Sequence, residues 1–451
     1  MAALAIRLSP TRTGIFKAAD VAPDVLEECN RLLEQNHKAY HIFYRDPAFH
    51  NHMAHSLLTN LSLGASVEEL RDRYNDLVPI QREIPPVDDA LVGKLTDPAT
   101  FYDTIGQIHQ YHTFLEFFRR EIDAKGWKPV VLEYVFARTK LADRMLAQVL
   151  EGAYHPVIHL GLGVEFEQPA IVAEALAQAA SHDRMHIETL FFDAETKAAA
   201  AEAKEDVSKP LIDLVHETRA HPTIRHAARW SDLGNKMKDG VIGRAVDELA
   251  GVASQFRIDD HAEAALERRA AEMMSVCAYL AGASPRRPGR KRKIDFFLMH
   301  SVTSSIFVAV LVRQTWIPLE DRVRLVEWKA RLDLAWYAAT GCAELDPTAI
   351  SAYSDPGSND MGWEDLFREV RRECDDGHAA KFIRALKYGE LLSAKYESSP
   401  QWKAYFPVRG DMWLKVARLC RDTTRNLPWE LKWVFFTGFE QGWERPDLAQ
   451  P

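Results

Sequence analysis

The stretch PAIVAEALAQAASHDRMHIETLFF, residues 169–192, decides the fold class. Its apolar residues recur three and four apart, the stripe of a packed helix. Glu174, Gln178 and His182 follow at spacings of four, one polar line on an otherwise Ala/Val/Leu helix, and His186 continues that line one turn later. The same periodicity runs through 25–43 (VLEECNRLLEQNHKAYHIF), 100–122 (TFYDTIGQIHQYHTFLEFFRREI), 319–341 (LEDRVRLVEWKARLDLAWYAATG) and 378–396 (HAAKFIRALKYGELLSAKY). Strand signals are almost absent, because no run of alternating β-branched residues is bounded by turn pairs. Pro and Gly fall between the periodic segments, as in IPPVDDALVG (84–93), SDPGSNDMG (354–362) and GASPRRPGRKRK (282–293). No repeat of fixed period is visible. The expectation is an all-α fold, a single large irregular helical domain over residues 1–451 with its active site in the helical core.

Composition narrows the function classes. The chain has 451 residues, 47% hydrophobic and 27% charged, the balance of a soluble globular protein. A net charge of -9 argues against a nucleic-acid partner, which needs a basic surface. Cys29, Cys277, Cys342, Cys374 and Cys420 are odd in number and form no CxxC pair, so they read as reduced, mostly buried thiols. The N-terminal MAALAIRLSPTRTG has no convincing cleavage site, so no signal peptide is expected. The most apolar segment, 296–312, contains His300 and several Ser and Thr, and reads as a buried core helix rather than a membrane span. A cytoplasmic protein without a membrane partner is expected. Two segments stand apart: AETKAAAAEAKEDVSK (194–209), an exposed helix or a loop, and RRPGRKRK (286–293), a solvated basic loop, an import signal or an anion patch.

The 17 histidines matter for their placement. FHNHMAHSLL (49–58) puts His50, His52 and His55 at the entry to an apolar helix, and His52 and His55 share one face at i, i+3. In YHPVIHLGLGVEF (154–166), Pro156 suits the first helical position, with His155 at the cap and His159 in the first turn. His300 stands alone in DFFLMHSVTSSIFVAVLV (295–312). DDGHAAKFIRAL (375–386) puts His378 and Lys381 one turn apart, with Asp375 or Asp376 available as cap. Each has a plainer reading: His300 as a hydrogen-bonded core residue, the His52/His55 pair as a solvated face, Lys381 as a surface lysine. Taken together, several helices each present a histidine on a face fit for burial, and bundles build their ligand sites in the core. Neutral imidazole suits iron, copper, zinc or nickel without any thiolate.

Other chemistries fit poorly. His182 and His186 enclose Asp183, Arg184 and Met185, not the H-E-x-x-H pattern of zinc proteases. Gly161-x-Gly163 is followed by Phe166 at the third glycine position and no strand precedes it, so it is no dinucleotide fingerprint. There is no P-loop and no G-x-S-x-G elbow.

Several segments together, NHKAYHIFY with FHNHMAHSLLTNLSLGAS, VLEYVF, HPVIHLGLGVEFEQPAIVAEALAQAASH, DFFLMHSVTSS and DDGHAAKFIRAL, resemble the questin oxidase-like family, in the family's order and over about residues 30–440. The resemblance implies a tailoring oxygenase that uses dioxygen to open the quinone ring of an anthraquinone-type aromatic polyketide, or carries out a related Baeyer–Villiger-like oxidation. It further implies a non-haem Fe(II) site held by histidines and a carboxylated lysine. Carried onto this chain, it implies His55, His159, His182, His300 and Lys381 as ligands. His52, His155 and His378 stand as alternatives or as groups that hold the ligands in place. A site of histidines alone leaves the +2 charge of ferrous iron unopposed, and a carbamate on Lys381 offsets it; burial near a cation favours the neutral amine such a modification needs. Aromatic-rich FLEFF and AWYAATG are candidate pocket linings. Glu165, Glu174 and Tyr154 are the ionisable groups nearest the motifs. The rival readings are an NADPH-dependent Baeyer–Villiger-type monooxygenase and a non-enzymatic helical binding protein.

Overall fold

The computed structural model describes residues 5–45, 49–204, 207–285 and 287–449. The fold is all-α. Among the described residues the only sheet is an antiparallel pair, β1 (Phe43–Arg45) and β2 (Phe49–His50), with Phe43 opposite His50. Strands this short carry no alternating pattern, which is why periodicity does not announce them. The chain groups into two compact units. One comprises residues up to Arg184 with Phe367–Arg384, the other Met185–Leu366 with residues from Ala385 onward.

The first unit is built on α1 (Pro23–Ala39), α2 (Met53–Ser62), α3 (Lys140–Leu150), α4 (His155–Glu165) and α5 (Pro169–Ser181). α1 is amphipathic and buries Cys29, Leu32, Leu33 and Asn36. All ten residues of α2 are buried, and α4 and α5 are apolar almost all round, as core helices are. α4 and α5 meet at Gly163, where a Cβ would lie 2.8 Å from both the Cγ2 and the backbone nitrogen of Val172. Only glycine permits that approach.

α5 stops earlier than its periodicity suggests. Gln148 of α3 donates its amide to the carbonyls of Ala179 and His182, both at 2.8 Å, and so satisfies acceptors at the helix end. His182 has extended backbone (φ -64, ψ 138) and His186 lies at φ +61. The line from Glu174 through His186 is therefore not one helix face. The spacing runs on because a second helix, Glu188–Glu202, follows with its own buried Leu190 and Phe191. Segment 100–122 likewise divides, into Pro98–Thr104 and Tyr111–Lys125, at Gly106 with φ +94.

In the second unit α6 (Glu263–Ala283), α7 (Phe296–Val312) and α8 (Leu319–Ala339) are long core helices. α7 is buried as expected, and no helix among the described residues is long and apolar enough to cross a membrane. Asp295 caps α7, accepting from the backbone nitrogens of Phe297 (2.8 Å) and Leu298 (3.2 Å) and, with its other oxygen, from Thr437 (2.7 Å). α9 (His378–Glu397) begins in the first unit, and Asp375 accepts from the Ala379 nitrogen at 2.9 Å, the cap foreseen for it. Cys29, Cys277, Cys342 and Cys420 are buried free thiols, whereas Cys374 is exposed. Of the two excursions, Glu205, Asp206 and Arg286 lie outside the described residues. The basic loop is not wholly solvated: Lys293 is buried and donates to the Thr423 carbonyl, and Arg292 donates to the Ala349 carbonyl at 3.0 Å.

Candidate metal centre

β2 and the turn into α2 carry His50, His52 and His55 into the core of the first unit. α4 adds His155 and His159 on one face at i, i+4, and the first turn of α9 adds His378 and Lys381 at i, i+3. All of them are buried. The helices face inward here because their remaining residues are apolar, so the imidazoles are carried into the interior with them.

The rings meet nitrogen to nitrogen. His52 Nε2 lies 2.9 Å from His155 Nε2, His55 Nε2 lies 3.1 Å from His159 Nδ1, and His50 Nε2 lies 3.0 Å from His182 Nε2. The pairs form one cluster: His50 stacks on His155 with ring centres 3.8 Å apart, and His52 lies edge-on to His378 at 4.6 Å and to His55 at 5.4 Å. The Lys381 amine is 3.3 Å from His55 Nδ1. His52, His155 and His378 each offer a nitrogen within 4.8 Å of the others.

The opposite ring nitrogens are committed to oxygen acceptors. His159 Nε2 donates to Glu174 at 2.8 Å, and His155 Nδ1 to the Gly152 carbonyl at 2.6 Å. His182 Nδ1 lies 2.8 Å from the Asp183 carboxylate, and His378 Nδ1 lies 2.6 Å from that of Asp376. Glu174 also accepts from His37 at 2.6 Å. In a neutral imidazole one nitrogen donates and the other holds a lone pair. Fixing the donor on the outside therefore turns the lone pairs of His155, His159 and His378 toward the cluster.

Charge follows the same plan. Burial, with the nearby Lys381 charge, pushes His52 and His55 well below the ordinary 6.5 of histidine, so both are neutral at physiological pH. Burial also brings the Lys381 amine from 10.5 to about 8, against the pull of Asp376 and Asp375. Burial opposes a charge on Glu174, but its hydrogen bonds from His159 and His37 outweigh that and hold it at about 2. Burial likewise opposes protonation of His182, and the Asp183 carboxylate outweighs it, raising that histidine.

Gly152 holds the lower edge of the cluster. It has φ +56, and a Cβ there would lie 2.1 Å from His182 Nε2, so both backbone and space demand glycine.

Of the expected ligands, the fold brings His55, His159 and Lys381 together, surrounds them with His52, His155 and His378, and joins His182 through His50. His300 belongs to the second unit, where its Nδ1 donates to the Phe296 carbonyl at 2.7 Å and its ring meets that of Phe296. Among the ionisable groups noted beside the motifs, Glu174 touches the cluster, whereas Glu165 is tied to Arg384 in a buried ion pair. Tyr154 is buried at φ +69 next to His155. Sequence reasoning gave no role to His37 or Gly152, read Asp376 only as a possible helix cap, and gave His50 none beyond noting it. His50 and His37 stood inside quoted histidine-rich segments, which was their only signal.

These residues fit a metal ion. The inward-facing nitrogens, the neutral rings of His52 and His55 and the oxygen acceptors behind the other rings are the arrangement by which proteins orient metal-binding histidines. Nitrogen pairs 2.9 to 3.1 Å apart match a single N–H···N bond. They equally match two ligands at right angles on one ion, for which metal–nitrogen distances of about 2.1 Å imply roughly 3 Å.

The Questin oxidase-like family profile matches residues 49–386. A Baeyer–Villiger monooxygenase of Cryptosporiopsis sp. is 62% identical over 449 residues, covering 100% of both chains. A Baeyer–Villiger oxidase of Paecilomyces divaricatus is 56% identical, over 99% of this chain and 96% of its own. A questin oxidase of Aspergillus fumigatus is 46% identical over 97% of each.

Proposed function

The chain belongs to the questin oxidase-like family, and from that premise we propose that it is an oxidoreductase, an iron-dependent oxygenase that cleaves the quinone ring of an anthraquinone-type aromatic polyketide. The observation that carries this reading is the buried histidine cluster, in which His52 and His55 are neutral and the outer nitrogens of His155, His159 and His378 are held by oxygen acceptors. His52, His155 and His378 each offer a nitrogen close enough to share one ion, with His55, His159 and Lys381 beside them. The resemblance also implies His182, in the same cluster, and His300.

Iron bound there supplies the binding and activation of dioxygen. The chain supplies the rest. The buried helices exclude water, which strengthens every electrostatic interaction inside the site. Glu174, the Gly152 carbonyl, Asp183 and Asp376 fix ring orientation and tautomer. Lys381, with its amine brought to about 8, reaches the neutral state that a carbamate requires, and as a carbamate it offsets part of the metal charge. A relative named as a Baeyer–Villiger monooxygenase favours a second reading of the same site. Oxygen is then inserted beside a ring carbonyl and the second oxygen atom is reduced to water, which draws two electrons from a reductant such as NADPH.

Metal analysis of protein produced with iron supplied, joined to oxygen uptake on an anthraquinone in its reduced form, tests both readings. About one iron per chain, with uptake lost on chelation, restored by Fe(II) and independent of NADPH, is expected. Uptake that strictly requires NADPH favours the second reading. Protein that stays metal-free and cannot be reconstituted removes the first.

A further inference from the structure

Outside the histidine cluster, the second unit holds a cavity of ≈ 380 Å³ whose lining includes Arg219, Arg225, Arg287, His226 and Ser284, with Glu344 the one acidic side chain among the described residues. It forms where the end of the helix Leu211–Ala220 and the turn Pro222–Arg225 meet the loop after α6, the turn after α8 and residues 437–439. Two glycines bring backbone against backbone at its wall: a Cβ on Gly438 would lie 2.3 Å from the Gly341 carbonyl oxygen. That close approach keeps side chains from filling the space.

Charge in this cavity is unbalanced. Neither Arg219 nor Arg225 has an ion pair among the described residues. Arg219 spends one nitrogen on the Cys342 carbonyl, and Arg287 has only Glu440, at 3.5 Å. Arg219 and Arg225 line the cavity together with the buried Cys342. Ser284 is 2% exposed, and its hydroxyl has no hydrogen-bond partner among the described residues. A buried hydroxyl left unpaired costs stability unless something else satisfies it. Three arginines lining one cavity give it a positive lining in a chain of net charge -9. The basic stretch 286–293 contributes Arg287 to this lining.

We propose that this cavity binds a phosphate group. A phosphate dianion presents several terminal oxygens to guanidinium forks and hydroxyl donors, whereas a carboxylate presents two and a single charge. The cavity is larger than a bare phosphate ion and lies within the size range of small-molecule sites, so it has room for the group that a phosphomonoester carries.

Isothermal titration of the full-length protein with inorganic phosphate, ribose 5-phosphate and ribose tests this. Saturable binding of both phosphates, and none of ribose, is expected. Tighter binding of the ester identifies a phosphomonoester as the ligand, and equal binding identifies free phosphate. Arg225→Ala alters an exposed side chain and should weaken binding about tenfold or more, the scale of one charged hydrogen bond. Ser284→Ala should weaken it several-fold without lowering thermal stability. No saturable binding of either phosphate overturns the proposal. Binding unchanged in both variants overturns it as well, because the phosphate then sits elsewhere.

Discussion

Lys381 has almost no solvent around it, and its amine stands 3.3 Å from His55 Nδ1. With its ionisation brought down to about 8, it samples the neutral amine at mildly alkaline pH, the form that adds carbon dioxide. Lys381→Ala should lose iron while keeping its helical circular dichroism. Lys381→Arg should lose it too, since a guanidinium stays protonated and forms no carbamate. Metal content per chain is the measurement, and a fully loaded arginine variant would rule out the ligand role. Gly152 is the second position where one atom decides. Gly152→Ala meets His182 Nε2 at 2.1 Å on a backbone of φ +56. Backbone strain of about 1–3 kcal/mol, with the overlap added, should lower the denaturation midpoint. The variant should also bind iron less tightly, because the Gly152 carbonyl holds His155. A variant with unchanged midpoint and iron content would contradict this. The histidines were legible as residues from their spacing. Their outer partners were not assignable, because Glu174 sits on a different helix from His159 and Asp376, just ahead of α9, looks like any cap.

At the scale of elements, α7 starts on a buried carboxylate. Burial raises Asp295 from 3.8 to about 6, and the hydrogen bonds it accepts from Thr437, Leu298 and Phe297 only partly oppose the rise. The folded state thus holds a proton that the unfolded chain releases near pH 3.8. Stability from this group is fully present below that pH and is lost as pH rises through about 6. The loss amounts to on the order of 3 kcal/mol. Urea unfolding between pH 3.5 and 7 (about that window) should show the decline in the natural protein and a flatter profile in Asp295→Asn. Equal slopes would refute the assignment. Element ends were the least legible feature of the sequence. Four-residue spacing crosses from α5 into the next helix without a break. The stop is imposed by Gln148, a side chain more than thirty positions away that takes up the last carbonyls.

At the scale of the whole molecule, the candidate ligands come from β2, α2, α4 and α9, segments from His50 to Lys381 that only the folded first unit gathers. A metal that binds this arrangement and not the unfolded chain stabilises it, by about 2.7 kcal/mol at a hundredfold excess over its dissociation constant. Chelation should lower the thermal midpoint, and Fe(II) should restore it. A stripped protein with an unchanged midpoint would speak against a metal shared among these helices. The sequence by itself determined the fold class, because 3.6-residue periodicity is a local property that each segment carries alone. It also showed several helices presenting a histidine on a face fit for burial, and His55, His155, His159 and His378 are buried. Only the tertiary structure decided which imidazoles meet, that His300 belongs to the other unit, and that Arg219, Arg225 and Arg287 share one cavity. Those are distances between residues far apart in the chain, set by packing of whole helices, and no local pattern encodes them.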